Sequence, residues 1–158
     1  MSGAVDAGPM SSHYLSSRGS RSTPSRVTEL VIVREFMTVP PVILDSATSV
    51  AAACRLMGEK HIGSVLVSRN EVTYAIFTER DLMSKVLPMK KDLDLLAVGS
   101  YASSPLVTVT PSTDVKEAAR IMAEMKVRRL AVVEDGKPIG VFTSADLAKA
   151  VGRLPLDL

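Results

Sequence analysis

The chain has 158 residues, enough for one domain or two very small ones around a real core; 46% are apolar, only 4% are aromatic, and Trp is absent. A core of Val, Leu, Ile, Ala and Met follows, with little stacking surface for single-stranded nucleic acid, so nucleic acid is not an expected partner. The single cysteine excludes internal disulfides and cysteine-rich metal sites, and no run approaches the ~18 apolar residues of a membrane span.

The first 27 residues are rich in Ser and Gly and have no apolar periodicity, which predicts a disordered, solvated tail. Arg18, Arg21 and Arg26 against Asp6 account there for the whole formal charge of +2, and the remainder is neutral. The tail lacks the apolar region of a secretory signal, so a cytoplasmic location is expected.

From residue 28 onward the chain repeats itself. Shifted by 65 residues, 37–82 aligns without a gap on 102–147, with 13 identities that include Pro40/Pro105, Val42/Val107, Phe77/Phe142, Thr78/Thr143 and Asp81/Asp146. This is a duplication, dividing the chain into 28–96 (first repeat with a connecting helix) and 97–158 (second repeat). In chain order each copy opens on a short apolar run after a proline, Val42-Ile43-Leu44 or Val107-Thr108-Val109, which predicts a strand. Asp45–Thr48 and Thr110–Thr113 suit a turn and an N-cap. Val50, Ala53, Cys54 and Met57, then Val115, Ala118, Ala119 and Met122, recur at i, i+3, i+4 and i+7. That spacing is one apolar face of a helix, on which Cys54 reads as a small buried hydrophobe. Arg55/Glu59 and Arg120/Glu124 stand at ion-pair spacing on another face. Two strands follow, Ser64–Ser68 with Tyr74–Thr78 and Leu130–Glu134 with Ile139–Thr143, with turns predicted at Asn70-Glu71 and Asp135-Gly136-Lys137. A second helix starts near Glu79 or Ser144. The fold class is α/β (α+β): a β-α-β-β-α unit occurring twice, each needing another unit to cover its sheet. The Met- and Ala-rich helices (Met57, Met83, Met122, Met125) supply further apolar face, so a homodimer is expected.

Catalytic signatures are missing: there is no phosphate-binding G-x-x-x-x-G-K-[ST] loop, no G-x-G-x-x-G and no H-E-x-x-H. His13 falls in the tail, and His61 follows a helix without an acidic partner at metal-ligand spacing. The chemistry concentrates instead at the end of the third strand of each copy, Ala75–Asp81 and Gly140–Asp146, where a hydroxyl and a carboxylate three residues apart meet a helix start. One reading is a capping box, Thr at the N-cap and Asp bonding back. The other gives the Asp to the two hydroxyls of a ribose, with Thr and the helix N–H groups facing sugar or phosphate. Both can hold at once, because a carboxylate has two oxygens.

The doubled unit, the leading Met37-Thr38, Pro105 and the G-h-x-[ST]-x-x-D ending resemble a tandem pair of CBS domains, the regulatory repeats named after cystathionine β-synthase, over about residues 30–150. The first copy has Ala75 at the glycine of that pattern. The resemblance implies a flat pseudo-twofold module, not an enzyme, with two clefts between repeats that take AMP, ADP, ATP, S-adenosylmethionine or NAD. It also implies pairing into dimers through the helices. Thr78, Asp81, Thr143 and Asp146 match the family's ribose-binding positions; Val42 and Ile43, and Leu106 and Val107, lie in the segments matched to adenine packing. Arg128 and Arg129 match basic positions that reach a ligand phosphate, and Gly63 and Ser64 stand there in the first copy. The arginines alternatively form a solvated edge. If they bind phosphate, the cleft pairing Asp81 with Arg128 and Arg129 suits a phosphorylated ligand, and the cleft pairing Asp146 with Ser64 suits a neutral tail or nothing. The function expected is sensing of an adenine nucleotide, or of S-adenosylmethionine or NAD, with no catalytic cofactor and an unidentified regulated protein as partner. The rivals are a structural dimerisation module with empty clefts and, from another class, an enzyme or nucleic-acid binder.

Overall fold

The computed structural model describes residues 30–155, so the expected N-terminal tail lies outside the described residues. The first repeat runs β1 (Ile43–Asp45), α1 (Val50–Lys60), β2 (Ser64–Ser68), β3 (Tyr74–Thr78) and α2 (Glu79–Asp81), which continues as a π-helical turn, Leu82–Val86. The second runs β4 (Thr108–Val109), α3 (Val115–Met125), β5 (Arg129–Glu134), β6 (Lys137–Thr143) and α4 (Ser144–Val151). Each repeat forms its own three-stranded sheet: β1 parallel to β2 and β2 antiparallel to β3, repeated by β4, β5 and β6. The predicted connecting helix is instead a series of 3-10 turns, Leu87–Met89, Leu93–Leu95 and Val98–Ser100, as suits a stretch where Pro88 removes a backbone donor. No helix among the described residues is long and apolar enough to cross a membrane.

The long helices start one residue later than the Thr positions suggested. Ser49 Oγ accepts from Ala52 N at 3.0 Å and Asp114 Oδ1 from Lys116 N at 2.8 Å. Thr113 is used in the preceding turn, where its hydroxyl accepts from Thr110 N at 3.1 Å. Arg120 pairs with both Glu117 and Glu124, whereas among the described residues Arg55 makes no ion pair with Glu59. The β5–β6 turn is a two-residue loop with positive φ at Asp135 and Gly136, matching the twist of the strands it joins. The first repeat spends a longer loop, where Asn70 Oδ1 accepts from Val72 N and Thr73 N.

Each repeat's core is completed by the other repeat's leading segment. Val31 and Val33 are buried beside Val115, Leu130 and Phe142, while Val98 and Ala102 are buried beside Val50, Val65 and Phe77. Backbone bonds fix both crossings, Val33 N to Thr113 O at 2.9 Å and Val98 N to Thr48 O at 2.8 Å. Further along, Thr38 pairs with Val141 on the edge of β6, and Ser103 pairs with Ile76 on the edge of β3. This exchange places hydroxyl residues of one repeat at the strand ends of the other, and so builds two clefts. Cys54 is half-buried on α1 against the first core, and burial pushes its thiol up.

Candidate functional site

Thr78 and Thr143 both cap helices in extended backbone conformations, and the same local chemistry operates at each. Asp81 Oδ2 accepts from Thr78 N at 2.9 Å and from the Thr78 hydroxyl at 3.1 Å; Asp146 Oδ2 does the same with Thr143 at 2.9 and 3.0 Å. The capping box is therefore formed, and it uses one oxygen of each carboxylate. Both aspartates are nearly buried, 5% and 6% exposed, which makes the fate of the second oxygen decisive.

That fate differs. Asp81 Oδ1 accepts from Lys85 Nζ at 2.8 Å and from Ser103 Oγ at 2.8 Å. Burial pushes this carboxyl up, but the Lys85 ammonium, the Ser103 hydroxyl and the Thr78 N–H outweigh it and hold it below the ordinary carboxylate range. Asp146 Oδ1 accepts no hydrogen bond among the described residues. The residues aligned with Lys85 and Ser103 are Ala150 and Thr38; Ala150 is buried in the core, and among the described residues Thr38 makes only its backbone pairing.

The Asp146 cleft has a volume of about 390 Å³, and its walls include Thr38, Pro41, Val42, Ser64, Thr143 and Asp146. The Asp81 cleft, about 660 Å³, is bounded by Ile76, Thr78, Asp81, Ser103 and Lys126. Arg128 and Arg129 line both. The side chains thus do not divide as the sequence suggested, with the arginines serving Asp81 alone. The physical reason is at Gly63, which stands where the second copy has Arg128: a Cβ there would collide with the Arg129 guanidinium. The missing side chain lets Arg129 lie across the first repeat's backbone and face either cleft.

Of the residues matched to adenine packing, Val42 reaches the Asp146 cleft, whereas Ile43 points outward at 39% exposure. Leu106 lines a separate depression with Tyr74, Pro105 and Pro138, and Val107 packs on the second core. Neither joins Asp81. Sequence reasoning missed Lys85 and Ser103, and it named Thr38 and Gly63 without giving either a role in a cleft. One signal was available, since Thr38 and Ser103 are hydroxyl residues at the same repeat position. Among the described residues no group of His, Cys, Asp and Glu could hold a metal ion.

A family model described as CBS domain matches residues 33–88 and 98–153. An uncharacterized protein of Methanocaldococcus jannaschii is 36% identical over 112 residues, covering 69% of this chain and 60% of that relative's length. Among solved structures, a hexameric CBS-CP12 protein from bloom-forming cyanobacteria is similar with a TM-score of 0.70 at 29% identity, covering 76% of this chain and 71% of that one. An uncharacterized conserved protein from Pyrococcus horikoshii gives a TM-score of 0.70 at 29% identity, covering 81% and 96%.

Proposed function

The chain belongs to the CBS-domain family, whose paired repeats are regulatory, ligand-sensing modules, and on that premise we propose that it senses an adenine nucleotide (AMP, ADP or ATP). The nucleotide is held first in the cleft of Asp146. The observation that carries this reading is the carboxylate of Asp146, 6% exposed and with one oxygen left over after capping. That oxygen opens to the cleft instead of being sealed in the core, so it can accept from the cis-diol of a ribose, which offers two donors. Pro41 and Val42 give an apolar wall for a flat base, and Arg128 and Arg129 give guanidinium groups that bind phosphate in bidentate fashion. The cleft volume of about 390 Å³ falls in the range of small-molecule sites. Thr143 positions Asp146 and the helix start; Ser64 and Thr38 supply hydroxyls at the rim.

Binding does no chemistry in this reading. It engages residues of both repeats, Val42 and Ser64 with Arg129 and Asp146, and signals that occupancy to a partner protein. Calorimetry of the full chain against AMP, ADP, ATP, S-adenosylmethionine and NAD tests it. Saturable binding of an adenine nucleotide, weakened when the ribose hydroxyls are removed, is expected. Preference for S-adenosylmethionine or NAD would replace the ligand assignment, and no heat with any of the five would overturn it.

A further inference from the structure

We propose that Lys85 is a built-in partner of the Asp81 carboxylate that a ligand must displace, so that the pair carries one open site and one latched site rather than two equal ones. This rests on the reading that these aspartates receive a ribose diol, and it adds the order in which the clefts fill.

Both oxygens of Asp81 are engaged before any ligand arrives: Oδ2 by Thr78, Oδ1 by Lys85 and Ser103. Lys85 is tethered beyond the ion pair, donating to Ser103 Oγ at 2.9 Å and to Tyr101 O at 3.3 Å. A diol entering this cleft must displace a charge-assisted contact to a nearly buried carboxylate, whereas at Asp146 it displaces no donor among the described residues. The backbone supports the same assignment. Lys85 sits in the π-helical turn Leu82–Val86, while its repeat counterpart Ala150 sits in a regular α-helix and is buried. The wider turn brings Val86, not residue 85, into the first core. Lys85 is thereby turned out at 44% side-chain exposure, four residues after the carboxylate it covers. Turns of this kind are rare and recur at functional sites.

The test measures adenosine and AMP binding by calorimetry to the wild-type chain and to Asp146→Asn, Lys85→Met and the Asp146→Asn/Lys85→Met double variant. Adenosine is the sensitive probe, because it has the diol and no phosphate. The wild type is expected to bind one adenosine per chain tightly and Lys85→Met two. The double variant should bind adenosine about tenfold or more tighter than Asp146→Asn alone, the worth of one hydrogen bond to a charged group. Ser103→Ala removes the second donor and part of the Lys85 tether without changing charge, and should move affinity the same way in the Asp146→Asn background. It also keeps the test open should Lys85→Met fold poorly. A double variant no better than Asp146→Asn, in a chain whose wild type binds, overturns the latch and leaves the nucleotide reading standing. A wild type that binds neither probe overturns the nucleotide reading, and the latch with it unless Lys85→Met gains adenosine.

Discussion

Replacing Asp146 by Asn separates the two tasks of this carboxylate. Its Oδ2 closes the capping box with Thr143, at 2.9 Å from the backbone N and 3.0 Å from the hydroxyl. An amide oxygen can keep that role, since Asn and Asp accept similarly at helix starts. The amide must then turn its NH2 into the cleft, where Asp146 had an acceptor with no donor among the described residues. A ribose hydroxyl loses its charged acceptor and meets a donor instead. Hydrogen bonds to charged groups are worth about 1.5–3 kcal/mol, which predicts a dissociation constant for AMP or adenosine raised about 10- to 150-fold. Thermal stability should change little, because the cap survives. Calorimetry with adenosine and with 2′,3′-dideoxyadenosine checks the attribution: wild type should prefer adenosine, and Asp146→Asn should not discriminate. Equal losses for both compounds, or affinity within a factor of about three of wild type, would refute the diol assignment.

Gly63→Ala sets a methyl group against the Arg129 guanidinium, so it should weaken AMP more than adenosine, as phosphate titrations would read. Gly136, at φ +76° in the β5–β6 turn, should tolerate Val poorly; a loss of about 1–2 kcal/mol appears as a melting point several degrees lower, with ligand affinity unchanged. Because Asp81 is held below its ordinary pKa, its contribution to stability is full above the unfolded value, near pH 4, and is lost as pH falls through the folded value. Urea melts of Lys85→Met should therefore show less difference between neutral and acid pH than wild type. A homodimer mass is expected by light scattering at micromolar concentration, from the exposed apolar side chains of Met83, Leu87 and Met125. A strictly monomeric mass would count against it.

What was legible in the sequence was what local periodicity encodes. The i, i+3, i+4, i+7 positions Val50, Ala53 and Met57 and their counterparts Val115, Ala118 and Met122 are core residues on α1 and α3. The Thr–Asp spacing gave both capping boxes. What was not legible needs partners distant in the chain. Val31 and Val33 look like an unremarkable apolar run, yet they finish the core of a repeat whose helix starts at Val115. Ser103 acquires its role only because its segment crosses to β3. Arg129 serves both clefts because of a side chain that Gly63 lacks. Two of the four methionines expected to face a partner, Met57 and Met122, are spent on the cores, since helix periodicity alone does not say which neighbour an apolar face meets.

The π-helical turn explains how two copies of one unit came to treat their aspartates differently, and it supplies a last prediction. A gapless alignment sets Lys85 against Ala150, a fully buried position. A lysine in a regular helix there would carry its charge into the core, at a cost of several kcal/mol unless it were neutralised. The wider turn avoids this, because Val86 fills the core position and residue 85 is turned to solvent beside Asp81. Deleting Lys85 should let the turn relax to α-helical geometry, with Val86 taking the place that Ala150 holds in α4. The chain should then keep a cooperative melt, because no core side chain is removed, and Asp81 Oδ1 should be left with Ser103 alone. In the Asp146→Asn background the deletion should raise adenosine affinity as Lys85→Met does. Deleting Leu82 instead removes an apolar residue packed on the first core and should lower the melting temperature markedly. If the two deletions were equally destabilising, the turn would be a packing necessity rather than the device that sets Lys85 over its carboxylate.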